Sequence, residues 1–172
     1  MGKNKIKIGV EAPSFKIKSY NVGTIDLSDL IGKQKIILIF SRYFGCPICH
    51  LELLELIEKL PEIEKKGVKI LYITQSGEDI AQEFIEKYNI TFPIIPSSKD
   101  KLYKEYGLGL MTMSALTKVP GKLKAAKKKG IIHGKYEGWE KQCPGQFVID
   151  ENGIIIYAKK GWLDINSILK VL

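Results

Sequence analysis

Apolar positions along this chain alternate between short β-branched runs and longer stretches of helical period. Ile36-Ile37-Leu38-Ile39-Phe40 is an unbroken run of β-branched and aromatic residues, the pattern of a strand buried on both faces of a sheet. After Pro47, residues Ile48, Leu51, Leu53, Leu54, Leu56, Ile57, Leu60 and Ile63 recur at helical spacing, with Glu55/Lys59 and Glu62/Lys66 placed four apart in the favourable order. A long amphipathic helix is predicted, kinked or restarted at Pro61 and ended at Gly67, because an interior proline removes an N–H and crowds the carbonyl of Ile57. Val68-Lys69-Ile70-Leu71-Tyr72-Ile73 reads as the next strand, positions 77–88 as a second helix, and Phe92-Pro93-Ile94-Ile95 as a short strand limited by its proline. A short helix follows near 99–106. Phe147-Val148-Ile149 and Ile154-Ile155-Ile156-Tyr157-Ala158 flank an Asn152-Gly153 hairpin signal, and Asp164 can cap a last helix running to Leu172. The β–α–β order implies right-handed crossovers. Positions 107–142 are too many for a plain connection, so they are predicted to hold a basic helix starting near Pro120.

Length and composition narrow the class. At 172 residues, 45% hydrophobic and 27% charged, the chain reads as one globular domain over 1–172, with 107–142 as a lysine-rich insertion, and not as a fibrous or disordered chain. No run approaches a membrane span of about 18 apolar residues. Met1-Gly2-Lys3-Asn4-Lys5-Ile6 has no apolar leader, and Ile6 stands where a myristoylation motif wants Ser or Thr, so a cytoplasmic location is expected. The net charge of +8 is local: between positions 108 and 136 there are seven lysines and no acid, while the other 20 basic residues nearly balance 19 acidic ones. Such a block suits phosphate, anionic lipid or an acidic protein partner. No aromatic residue lies between Lys118 and Lys135, which counts against single-stranded nucleic acid. Leu116, Val119, Leu123 and Ala126 predict a packed apolar face with the lysines solvated, separate from any thiol chemistry.

That chemistry concentrates at Cys46-Pro47-Ile48-Cys49-His50, where the buried strand hands over to the long helix. A helix start leaves N–H groups unpaired and carries about half a positive charge, which lowers a cysteine pKa from about 8.5 toward 3.5–7.5. Residues three apart share a helix face, so Cys49 can resolve a mixed disulfide formed at Cys46. Pro47 at the first helical position sacrifices no hydrogen bond. Arg42, the chain's only arginine, stands just upstream as a thiolate-stabilising cation. Other readings of the same residues are a zinc site from Cys46, Cys49, His50 and Cys143, a c-type haem attachment pattern, or inert core thiols. His50 and His133 are candidate bases, and Cys143 is the third thiol.

The motifs resemble those of the thioredoxin-fold superfamily, and within it the peroxiredoxin-like group of alkyl hydroperoxide reductases and thiol-specific antioxidants. Gly9-Val10-Glu11-Ala12-Pro13-Ser14-Phe15 looks like that group's G-x-x-A-P-x-F opening, and Leu27-Ser28-Asp29-Leu30-Ile31-Gly32-Lys33 like its L-S-D-L-x-G-K segment. Arg42-Tyr43-Phe44-Gly45-Cys46-Pro47-Ile48-Cys49 is similar to the R-x-F-G-C-P-x-C run of the branch containing prostamide/prostaglandin F synthase-like proteins, which also carries a basic helical insertion. Pro144-Gly145-Gln146-Phe147-Val148-Ile149-Asp150 looks like the P-x-x-F-x-I-D element, whose proline is cis and beside the active cysteines. The resemblance implies a thioredoxin-like α/β fold with a central mixed sheet flanked by helices and a basic helical insertion before the C-terminal hairpin. It implies a thiol–disulfide oxidoreductase using Cys46 and Cys49, supported by Arg42, Pro47, Pro144 and Cys143, with no cofactor or metal. Its partners are a thiol or disulfide protein, a thioredoxin-like reductant, a peroxide, and an anionic partner at the lysines. The typical peroxiredoxin P-x-x-x-T-x-x-C pattern is absent. Aligned on Cys46 it places Tyr43 at the threonine and Ile39 at the proline; aligned on Cys49, which makes Cys49 the reactive thiol, it places Cys46 and Arg42 there. The alternative is a non-catalytic thioredoxin-fold binding module with structural or metal-bound cysteines and a basic partner-binding insertion.

Overall fold

A computed structural model describes residues 6–172. Residues 1–5, most of the stretch read above for a leader or acylation signal, lie outside the described residues. A five-stranded sheet forms the centre, built from β3 (Ile36–Phe40), β4 (Lys69–Thr74), β5 (Ile94–Pro96), β6 (Gly145–Ile149) and β7 (Ile155–Lys160) in the order β5-β4-β3-β6-β7. β3, β4 and β5 run parallel, whereas β6 runs antiparallel to β3 and to β7. A two-stranded ribbon, β1 (Lys16–Lys18) with β2 (Thr24–Asp26), precedes it.

The expected mixed sheet follows from the period of β3. Ile36, Leu38 and Phe40 face a core shared with Leu71, Ile73, Tyr103, Tyr106 and Phe147, while Ile37 and Ile39 face a second core with Leu53, Leu56, Ile63 and Tyr72. Alternate side chains point to opposite faces, and burying each such residue stabilises the fold by roughly 1.5–3 kcal/mol. The second core is covered by α2 (Pro47–Lys65), α3 (Glu78–Tyr88) and α6 (Ile165–Val171), and the first by α1 (Leu27–Leu30) and α4 (Leu102–Glu105). Between β6 and β7, Asp150 Oδ1 accepts from the N–H groups of Asn152 and Ile154 at 2.9 Å each, and Gly153 takes φ +81°, which closes the hairpin. Asp164 caps α6 by accepting from the Ser167 N–H at 3.1 Å.

At Pro61 the helix does not restart, and at Pro120 no helix begins. α2 continues through Pro61 to Lys65 as one helix. The proline lies close to the helix end and forfeits one bond, while Ile63 beyond it is fully buried and holds the last turn on the core. α5 spans Met113–Lys128 and starts seven residues before Pro120, because Thr112 supplies the cap, its hydroxyl accepting from the Ala115 N–H at 3.2 Å. The packed face of α5 is also rotated: Ala115, Val119, Lys122 and Ala126 turn inward, at spacings of four, three and four, whereas Leu116 and Leu123 are 45% and 43% exposed. No helix among the described residues is long and apolar enough to cross a membrane.

Candidate functional site

The dithiol stands where β3 ends. Cys46 is the N-cap of α2, with extended backbone at φ −72° and ψ 122°, and Pro47 is the first helical residue. Both thiols are buried and unpaired. Three causes hold the Cys46 thiol down at about 7, against a burial that acts the other way: hydrogen bonding from the Cys49 thiol first, then the Arg42 charge, then the N–H groups of Cys49 and Ile48. Cys49 is pushed well above the ordinary range, by burial first and by the neighbouring Cys46 second. The two sulfurs thus divide, one inclined to ionise near neutral pH and the other held protonated.

Arg42 is tied down around them. Its Nη1 lies 3.6 Å from the Cys46 sulfur, and its Nη2 donates to the Glu140 carbonyl and stands 3.7 Å from Glu140 Oε2. The guanidinium carbon sits 5.4 Å and 6.0 Å from the ring centroids of Tyr43 and Trp162. Tyr43, Cys46, Ile48, Cys49, Ala115 and Trp162 form one buried cluster, and Trp162 Nε1 donates to the Ala115 carbonyl at 2.8 Å, so α5 is fastened directly to the thiol site.

A strap from 131 to 142 passes over the loop that carries Cys46. The Gly134 N–H donates to the Gly45 carbonyl at 2.8 Å, and His133 Nε2 lies 3.1 Å from the Tyr43 hydroxyl. A Cβ on Gly45 would collide with the Lys135 carbonyl oxygen and come within 2.9 Å of the Gly134 carbonyl carbon. Gly45→Ala is therefore expected to displace the strap, at a cost of about 1–3 kcal/mol. Cys46 should then alkylate faster. A denaturation midpoint and an alkylation rate both equal to those of the wild type would contradict this packing.

Pro144 and Cys143 sit one step away. Gly145 pairs with Phe40, the last residue of β3, so Pro144 lies just past that strand end, and its carbonyl accepts from the Gly161 N–H at 2.8 Å, next to Trp162. Its peptide bond is trans, since no peptide among the described residues is cis, and this corrects the expected cis geometry. The trans form is the intrinsically preferred one, and it leaves the Cys143 N–H bonded to the Gly109 carbonyl at 2.9 Å and the Pro144 carbonyl bonded to Gly161. The Cys143 thiol approaches the Pro144 carbonyl at 3.2 Å, lies outside the Cys46–Cys49 cluster, and is pushed up chiefly by burial. His50 turns away to the Tyr88 hydroxyl at 2.5 Å. Cys46, Cys49, His50 and Cys143 thus do not converge, and no three His, Cys, Asp or Glu side chains among the described residues are placed to hold a metal.

A match to the AhpC/TSA family model extends over residues 8–158. The chain belongs to this family. A thiol-disulfide oxidoreductase, ResA of Bacillus thuringiensis, is 32% identical over 124 residues, covering 70% of this chain and 69% of that protein. A putative peroxiredoxin, bcp of Coxiella burnetii, is 27% identical over 150 residues, covering 87% of this chain and 85% of that protein. Among solved structures, the peroxidoxin BcpB of Mycobacterium tuberculosis superposes with a TM-score of 0.70 at 13% identity, over 97% of this chain and 98% of that one. A thiol:disulfide interchange protein of the thioredoxin family from Chlorobium tepidum gives 0.62 at 19% identity, over 96% and 97%. The fold is thus the thioredoxin-like one.

Within this AhpC/TSA chain, sequence reasoning passed over one buried acid. Glu52, three residues after Cys49 on the inward face of α2, is 7% exposed. Its Oε1 accepts from the Leu163 N–H and from Lys122 Nζ, each at 2.9 Å. Burial pushes its carboxyl up to about 8, against the pull of Lys122, with the Cys49 thiol adding a smaller upward push. The available signal was a carboxylate inside an otherwise apolar helical stripe. Of the lysines expected to be solvated, Lys122 is the exception, turned inward and paired with Glu52. The other six lysines of the segment are exposed.

Proposed function

We propose that the chain is a thiol–disulfide oxidoreductase in which Cys46 attacks and Cys49 resolves. The observation that carries this reading is the placement of the two thiols on one helix start: Cys46 caps α2 with the Arg42 Nη1 3.6 Å from its sulfur, whereas Cys49 lies a turn inside at 1% exposure. The Cys46 thiolate attacks one sulfur of a substrate disulfide, forming a mixed disulfide and expelling the other sulfur as a thiolate. Cys49 gives up its proton and attacks the Cys46 sulfur, releasing the second substrate thiolate and closing the Cys46–Cys49 disulfide. The substrate gains two electrons and the dithiol loses them. A thioredoxin-like donor returns the dithiol to its reduced form.

Arg42 stabilises the attacking thiolate, and the ionised fraction of Glu52, a minority at neutral pH that grows toward pH 8, accepts the Cys49 proton in the resolving step, since it is the buried carboxyl on the same helix face. Pro47 and Pro144 shape the loops on either side. Family membership and the bcp relative support peroxide as a second oxidant at Cys46. The 107–142 segment is an insertion within a single domain, and its lysines recognise an anionic partner. One equivalent of a neutral disulfide such as hydroxyethyl disulfide is expected to remove two hydrogens from the chain and leave Cys143 as the one alkylatable thiol. Peptide mapping that found Cys143 in the new disulfide, or no disulfide at all, would overturn the assignment.

A further inference from the structure

Cys46 is 3% exposed, and the space it borders is a groove, not open solvent. The groove is a cavity of about 580 Å³ between α5 and the strap. Met113, Leu116, Val119 and Leu123 form one wall, with Tyr136 opposite. Met113, Leu116, Leu123 and Tyr136 are 74%, 45%, 43% and 64% exposed, as is neighbouring Leu110 at 63%, so an apolar surface is left open beside a reactive sulfur.

Basic charge predominates around it. Lys127, four residues after Leu123, lies one turn beyond the apolar row, and Lys124 directly follows Leu123 in the chain; both are exposed. Lys141 lines the other end. Glu140 also lines the groove but is engaged by Arg42, and the acids that answer other lysines of the basic segment lie on α2, Glu52 with Lys122 and Glu58 with Lys129. From Leu116 to Lys127 the helix rises about 16 Å, the length of an extended segment of about five residues.

We propose that this groove docks an extended apolar segment of a disulfide-bearing protein, with acidic residues flanking the segment, so that the lysine-rich helix selects which disulfides reach Cys46. The inference rests on Cys46 being the attacking thiol. Apolar side chains of the partner cover the Leu116–Leu123 row, its cysteine lies at Cys46, and its acidic end meets Lys124 and Lys127.

Two short synthetic peptides sharing an apolar core, one flanked by aspartates and one by lysines, test it. With serine in place of the central cysteine, fluorescence anisotropy reads docking without chemistry. The acidic peptide is expected to bind about tenfold more tightly at low salt, with the gap narrowing as salt rises. In the Lys124→Glu/Lys127→Glu protein, whose two changes lie on exposed positions, the preference should disappear or invert. Equal binding of the two peptides, a preference untouched by the charge reversal, or binding of phosphatidylglycerol vesicles while neither peptide binds would each overturn the proposal. Hydroxyethyl disulfide reports on the dithiol by itself. If wild-type protein fails to reduce it yet keeps the acidic preference, the oxidoreductase reading falls and the docking site stands.

Discussion

A Cys49→Ser protein is expected to accumulate a stable mixed disulfide between Cys46 and its substrate, and a Cys46→Ser protein to lose disulfide reduction by at least about three orders of magnitude. The asymmetry comes from position on one helix. Cys46 caps α2, where the N–H groups of Ile48 and Cys49 and the Arg42 guanidinium favour a thiolate, and the residue lines the groove. Cys49 lies a turn inside at 1% exposure, where burial opposes ionisation, and it does not line the groove. Serine at 49 removes the thiol that meets Cys46 in the same buried cluster, so the first step proceeds and the second stops. Mass spectrometry of the reacted protein measures both variants. A trapped adduct on Cys49 in the Cys46→Ser protein would reverse the roles and favour the register in which Cys49 reacts with peroxide.

Much of the fold could be read from local pattern. The limits of β3 fall at the ends of the Ile36–Phe40 run because every residue of that run is buried, so neither end is ambiguous. The start of α2 at Pro47 was equally legible, since a proline at that position costs no bond. What failed was rotation and register on α5. Leu116, Val119, Leu123 and Ala126 also satisfy a helical period, but small Ala115 and Ala126 let α5 sit close against the thiol cluster, and the leucines are left to the groove. A hydrophobic pattern names a face only to within the width of its stripe. The grouping of the candidate site was legible where one short segment carries it, as Arg42, Cys46 and Cys49 do. It was not legible where distant segments meet, as Glu52, Lys122 and Trp162 do, or where a backbone isomer depends on what the neighbouring loops can hydrogen-bond, as at Pro144.

Glu52→Gln is expected to flatten the pH dependence of stability and to slow resolution of the mixed disulfide. An unfolded-chain glutamate loses its proton near pH 4.3, whereas the folded Glu52 carboxyl holds its proton up to about 8. Between those values the folded chain binds a proton that the unfolded chain has released, so stability falls as pH rises. The contribution is fully present below about pH 4.3 and is lost as pH passes through about 8; at about 1.4 kcal/mol for each pH unit it amounts to about 5 kcal/mol over the window. Glutamine keeps an acceptor for the Leu163 N–H and has no proton to lose, so the variant should show little of this fall. His50, whose pKa burial lowers, acts in the opposite sense at lower pH, but it is present in both proteins and cancels in the comparison. In the reaction, the variant has no carboxylate to take the Cys49 proton, and resolution should slow by about 10²-fold while the first attack by Cys46 is little changed. Lys122 then has no anion to meet, so the gain in stability above pH 8 is smaller than the window alone implies. Denaturant titrations from pH 5 to pH 9 and single-turnover kinetics supply the two measurements. Parallel stability curves for wild type and Glu52→Gln would show that the carboxyl titrates normally in the folded chain, and an unchanged rate of resolution would show that another base takes the Cys49 proton.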